Sequence, residues 1–175
     1  MSAASSERRR PHEPITFSQT SPVDREVTRV FRAPIERVFH LFTDPATLPY
    51  VMAPDPSTVT IEQLEFRKGG RYSIRIKQND GSSIRLHGEY LEVEPPRRVV
   101  NTFEVDVLPG FSALETDQFD PEGEFTRLTV RWKYQRPEDM EKMAGPALER
   151  AVTAMWETVD DLLEKGLTTS ASAEA

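Results

Sequence analysis

The sequence predicts an α+β domain: a curved antiparallel sheet wrapped around one long C-terminal helix, with two short helices after the first strand. Three observations carry this expectation. In Pro146 to Lys165 the residues Leu148, Val152, Met155, Val159, Leu162 and Leu163 recur at steps of three and four, so they share one helix face. From Thr58 to Tyr134 the apolar period is two, the mark of strands with one covered face. Turn signals such as Asn79-Asp80-Gly81 divide that stretch into hairpins, which makes the sheet antiparallel. A single amphipathic helix is then available to cover the sheet, and at roughly 30 Å it is long enough to cross it.

Taken in order, Val23 to Arg32 reads as the first strand. Ala33-Pro34 opens a helix, since proline is tolerated at a first helical position, with Ile35, Val38, Phe39 and Phe42 as its buried stripe. Thr43-Asp44-Pro45 ends it and starts a second short helix, with Asp44 as the expected N-cap. Pro49, Pro54 and Pro56 close that region into a loop around Tyr50, Val51 and Met52. Val59, Ile61 and Leu64 mark a strand, and Lys68-Gly69-Gly70 a turn. Tyr72, Ile74 and Ile76 alternate with polar residues, and Ile84 to Leu91 forms the return strand, with a bulge expected at Gly88. Pro95-Pro96 is a corner, Val99 to Val107 pairs with Phe111 to Phe119, and Asp120-Pro121-Glu122-Gly123 turns the chain. Leu128, Val130, Trp132 and Tyr134 form the last strand. Gly145-Pro146 separates the main helix from a helical turn at Pro137 to Met143, because proline is nearly free at a first turn and costly inside a helix.

Composition narrows the function classes. The chain has 175 residues, enough for one sizeable core: residues 23–166, between an N-terminal tail at 1–22 and a C-terminal tail at 167–175, both expected to be flexible. There are no cysteines, which removes disulfides and thiolate chemistry and fits a cytoplasmic, reducing location. The formal net charge of −7 repels phosphate backbones, so nucleic acid is not an expected partner. No apolar run is long enough for membrane insertion, and no apolar segment follows Arg8-Arg9-Arg10 to make an export signal.

Catalytic signatures are sparse. His12 lies in the tail, His40 lies off the stripe of the first helix, and His87 falls on the polar phase of its strand. No histidine pair or carboxylate group has metal-ligand spacing, so no metal and no cofactor is expected. There is no G-x-S-x-G motif, and Gly69-Gly70 is a tight turn rather than a phosphate cradle. Glu157, Asp160 and Asp161 read as a solvated helix face. Beside the large helix face runs a lane of small residues, Ala144, Ala147, Ala151 and Ala154, which leaves room next to it. The aromatic residues Tyr72, Tyr90, Phe103, Trp132 and Trp156 either fill a core or line a cavity.

Several motifs, in this order, resemble a known superfamily. They are Phe31-Arg32-Ala33-Pro34 with Val38 and Phe39, Thr43-Asp44-Pro45 with Leu48, and Gly69-Gly70-Arg71-Tyr72. Asp80-Gly81, Gly88-Glu89-Tyr90, Val93-Glu94-Pro95-Pro96, Thr102-Phe103-Glu104 and Thr126 to Val130 follow, and the final helix completes the series. The chain resembles the START-like helix-grip (SRPBCC) superfamily, and within it the branch named after the activator of heat-shock-protein-90 ATPase. The match runs from about Val23 to Gly166. Two departures touch the pocket lining: Tyr50 stands where many relatives carry tryptophan, and Phe103 stands where aromatics vary.

The resemblance implies a pocket between sheet and helix and a small hydrophobic ligand: a lipid, polyketide or aromatic compound. The expected lining is Phe42, Tyr50, Met52, Tyr72, Ile74 and Leu86 from the first half of the chain. Phe103, Trp132, Met143, Ala147, Ala151 and Met155 complete it, with the methionines as adaptable walls. Pro137 to Met143 and the Tyr50 loop are expected to gate access. Two alternatives are a polyketide cyclase or aromatase, with Tyr72, Arg75, His87 and Glu89 as candidate groups, and a chaperone-ATPase partner domain. The eukaryotic activators carry a large additional N-terminal domain, and the 22 or so residues before the first strand argue against a full activator. A homodimer is also admitted.

Overall fold

A computed structural model describes residues 13–166. The elements are β1 (Thr16–Ser21), β2 (Asp24–Phe31), α1 (Ile35–Thr43), α2 (Leu48–Met52), β3 (Val59–Leu64), β4 (Arg71–Lys77) and β5 (Ser83–Glu94). They continue with β6 (Arg98–Val105), β7 (Ala113–Glu122), β8 (Phe125–Tyr134), α3 (Pro137–Met143) and α4 (Pro146–Glu164). The eight strands form one antiparallel sheet in the order β1-β2-β8-β7-β6-β5-β4-β3. The chain therefore returns to its start: β8 lies beside β2 over its full length, from Asp24 opposite Lys133 to Phe31 opposite Thr126. α1 and α2 lie between β2 and β3 in the chain, and α4 covers the inner face.

α4 begins at Pro146 with Gly145 as its N-cap, and α3 is a separate helix before it, as the Gly145-Pro146 pair implies. Val152, Trp156, Val159 and Leu163 form the buried stripe of α4. Trp156 packs edge-on against Phe31, with centroids 5.6 Å apart, and Phe31 also meets Phe42 of α1 at 6.0 Å. Charges reinforce the docking along β2: Arg25 pairs with Glu149, Arg29 Nη2 lies 2.5 Å from Asp160 Oδ2, and Arg32 reaches Glu164 at 3.2 Å. Arg37 of α1 donates to the Leu163 carbonyl at 3.2 Å, meeting one of the open acceptors at the end of α4.

The structure corrects several expectations. Residues 16–21, assigned above to a flexible tail, form β1, with Phe17 opposite Val27; tail positions 1–12 and 167–175 lie outside the described residues. Asp44 does not cap α2. It follows α1, accepts from the Ala46 N–H at 2.7 Å in a turn, and leaves Thr47 as N-cap. β7 begins at Ala113, not Phe111, and runs through Pro121 to Glu122, so the turn is Gly123-Glu124, with Gly123 at φ +63°. The β5–β6 register shift lies between Tyr90 and Glu92, not at Gly88. Gly88 has another reason: a Cβ there would stand 1.9 Å from the Thr102 carbonyl oxygen. Asp160 is not on the solvated side of α4; it is buried against Arg29. Ala147, Ala151 and Ala154 are exposed, about 180° around the helix from the Trp156 stripe.

Candidate functional site: a carboxyl pair on the inner face of the sheet

Strand register determines what faces α4. On β8 the inner residues are Leu128, Val130, Trp132 and Tyr134, all buried. Opposite them on β7 stand Phe119, Asp117, Glu115 and Ala113, in that order. On the other side of β7, Val99, Asn101 and Phe103 of β6 face Asp117, Glu115 and Ala113. Two acids thus occupy successive inward positions of a strand whose other inward residues are apolar. The sequence carries a trace of this: Phe111, Ala113 and Phe119 share the phase of Glu115 and Asp117, while Thr116 and Gln118 hold the other phase.

Glu115 is held by neutral donors. The Trp132 indole N–H donates to its Oε2 at 2.5 Å, and the Asn101 amide donates to its Oε1 at 3.3 Å. Asn101 also donates to the Tyr72 hydroxyl at 3.2 Å, and that hydroxyl donates to the Thr102 carbonyl at 2.8 Å. Tyr72 stands opposite Gly88, whose missing side chain keeps that carbonyl accessible. Asp117 is different: its Oδ1 is enclosed and has no hydrogen-bond partner among the described residues. Such an unmet acceptor usually costs about 1–3 kcal/mol.

Burial pushes the Glu115 carboxyl up, and the bonds from Trp132 and Asn101 oppose it. Burial, followed by repulsion from Glu115, pushes Asp117 up much further. Tyr72, Tyr90 and Tyr134 are raised by burial and then by the Glu115 charge, Tyr134 to about 12. The phenols are therefore protonated donors near neutrality, and all three lie within electrostatic reach of Glu115.

The sign of the pH effect follows. A raised carboxyl makes the fold bind more protons than the unfolded chain, so its contribution is complete at low pH and lost as pH rises above the ordinary aspartate range. Asp117→Asn removes that loss. The variant is expected to match the parent near pH ~4 and to exceed it at neutral pH by about 1–3 kcal/mol, measured by urea denaturation. A difference that does not change with pH would mean that Asp117 is ionised in the fold.

The twelve residues expected to line a pocket fall into three groups. Phe42, Met52, Leu86, Phe103, Met143 and Met155 are half-buried and pack on the core. Tyr72, Ile74 and Trp132 are buried in it. Tyr50 is 48% exposed, and Ala147 and Ala151 are exposed on the far side of α4, so these three do not belong to the inner wall. Sequence reasoning missed Glu115, Asp117 and Asn101.

The outer face carries a separate polar groove of about 550 Å³, lined by residues that include Arg71, Ser73, Arg85, His87, Glu89 and Glu104. His87 Nδ1 lies 3.1 Å from Glu104 Oε2, and Arg75 is paired with Glu62. Of the four groups considered for catalysis, only Tyr72 shares the inner face; Arg75, His87 and Glu89 have the opposite strand phase. No group of metal-ligating side chains occurs among the described residues.

A curved antiparallel sheet closed over a long C-terminal helix is the START-like helix-grip architecture, a fold of ligand-binding domains. The chain belongs to the family described as Activator of Hsp90 ATPase homolog 1-like protein, whose sequence profile matches residues 32–167. Among solved structures, a protein of Rhodobacter sphaeroides superposes with a TM-score of 0.78 at 24% identity, covering 87% of this chain and 99% of that one. A Mycobacterium smegmatis protein gives 0.75 at 21% identity, covering 87% and 99%. One from Arthrobacter aurescens gives 0.75 at 21%, covering 92% and 98%. These likenesses establish the fold. A search of curated proteins finds no match.

Proposed function

We propose that the protein binds a small, mainly apolar molecule, such as a lipid, polyketide or aromatic compound, between the inner face of the sheet and α4. The observation that carries this is the half-buried set Phe42, Met52, Leu86, Phe103, Met143 and Met155: apolar side chains attached to the core and not fully covered by it. Uncovered apolar surface is the feature a ligand would bury, at about 25 cal/mol per Å². The methionines suit a wall that adapts to its occupant. A thermal-shift screen against apolar compounds tests it. A ligand present at one hundred times its Kd is expected to add about 2.7 kcal/mol, hence several degrees in Tm. A screen across all three compound classes with no shift would overturn the reading.

A second reading, an enzyme of the polyketide cyclase or aromatase type, is favoured by one observation. Glu115 and Asp117 are inward-facing carboxyls with raised pKa, the state a general acid or base needs near neutrality. In that reading Asp117 exchanges the proton, and Glu115, fixed by Trp132 and Asn101, holds the substrate.

A further inference from the structure

We propose that the inner face of the sheet is a built site for an organic cation, a compound with an apolar body and a protonated amine, for which Glu115 and Asp117 supply the counter-charge. The inference rests on the small-molecule reading above and narrows its ligand class.

Charge balance is the first support. Among the described residues, Arg25 and Arg29 of β2, Glu149 and Asp160 of α4, and Glu115 and Asp117 of β7 are charged side chains placed around this part of the sheet–helix contact. Arg25 is taken by Glu149 and Arg29 by Asp160. Among the described residues Glu115 and Asp117 have no ion-pair partner, and they stand one pleat apart on the same strand face. Two desolvated carboxyls in that position either hold a proton or receive a cation.

The second support is independent of the first. Asp117 Oδ1 is enclosed and accepts nothing from the protein, although donors are abundant nearby. Trp132 and Asn101 both serve Glu115, and the Tyr72 hydroxyl serves Thr102. The protein thus orients Glu115 with neutral N–H groups and supplies Asp117 Oδ1 with no donor of its own. An ammonium group has three N–H donors and no acceptor, which matches two carboxyls.

The walls suit the same head group. Tyr72 and Tyr90 rings lie 5.3 Å apart, and Trp132 and Tyr134 follow on β8. Aromatic faces attract cations, by about 0.5–2 kcal/mol each when desolvated. An anionic head group would meet only repulsion from Glu115 and Asp117, so fatty-acid-like ligands are disfavoured.

The test uses the whole chain and three probes with one apolar body: decylammonium, decanol and decanoate. Isothermal titration at neutral pH is expected to show decylammonium binding at least about tenfold tighter than decanol, with decanoate weakest. Glu115→Gln and Asp117→Asn, each checked for folding by circular dichroism, should each collapse most of that preference, read as the ratio of decylammonium to decanol affinity in the same variant. Decylammonium binding should also release protons as Asp117 ionises, seen as a dependence on buffer ionisation enthalpy. The other titratable and charged groups facing the pair are Arg25 and Arg29 on β2, Tyr72 on β4, Tyr90 on β5, Tyr134 on β8, and Glu149 and Asp160 on α4. If decanol or decanoate binds as tightly as the amine, the cation inference falls and apolar binding stands. If none of the three binds, the cation inference falls, and the apolar reading is decided by the screen of the three compound classes. An amine preference that survives in both variants would be attraction to the acidic surface and would also overturn it. If one variant does not fold, the other decides.

Discussion

Phe31→Ala is expected to lower the stability of the protein by about 3–5 kcal/mol, the range for deleting a buried phenylalanine. Phe31 has no exposed surface and joins three elements at the closing end of β2. Its ring meets Phe42 of α1 at 6.0 Å and Trp156 of α4 at 5.6 Å, and the Arg29 guanidinium lies 5.7 Å from its centroid. The cavity left by truncation cannot close easily, because its lining belongs to three separately anchored pieces. Backbone anchoring is strong here: the next turn is pinned by the Thr126 hydroxyl, which donates to the Ala33 carbonyl at 2.8 Å. Urea denaturation should show a lowered midpoint with unchanged slope. A loss under about 1 kcal/mol would mean that α4 is not docked as described.

Asp160→Ala should be comparably severe, at about 3–5 kcal/mol, because it leaves the Arg29 charge buried without a counter-ion. Only 7% of the Arg29 side chain is exposed. Its Nε and Nη1 already lack hydrogen-bond partners, so the link through Nη2 to Asp160 Oδ2 carries most of the compensation. The double variant Arg29→Met, Asp160→Leu is the control. It removes both charges and is expected to recover most of the loss, since apolar replacements of buried pairs are often neutral or stabilising. A double variant as weak as the single one would show that Asp160 acts through packing and not through charge. The pair also has a positional consequence: together with Arg25–Glu149 it fixes α4 lengthwise along β2 and takes both inner arginines away from Glu115 and Asp117.

What could be read from the sequence depended on whether a residue obeyed its local period. The strands from Val59 to Tyr134 and the break at Gly145-Pro146 follow two-residue alternation and proline chemistry, and both are found in the structure. β1 lacks that signal. Its sequence TFSQTS offers one aromatic residue, and as an edge strand it is held mainly by backbone pairing to β2. Of the alanine lane, Ala144 packs on the core, whereas Ala147, Ala151 and Ala154 face away from the sheet. Periodicity shows that small residues share a side of a helix, and only packing shows which side meets the sheet. Asp160 is a similar case, since its partner Arg29 is remote in sequence. Glu115 and Asp117 sit in the apolar phase of β7, where alternation argues for burial and charge argues against it. The fold resolves that conflict in favour of alternation, and such conflicts tend to mark functional sites.

The most direct test of binding on the inner face is the indole N–H resonance of Trp132 in a two-dimensional nitrogen–proton spectrum. The chain has two tryptophans, so the assignment needs one variant. Trp132 donates to Glu115 at the candidate site, whereas Trp156 is packed against Phe31. On titration with a ligand found by thermal shift, the Trp132 resonance should move in step with occupancy and the Trp156 resonance should stay in place. Movement confined to Ser73, His87 and Thr102, with both indoles unchanged, would put the ligand in the outer groove and contradict the account.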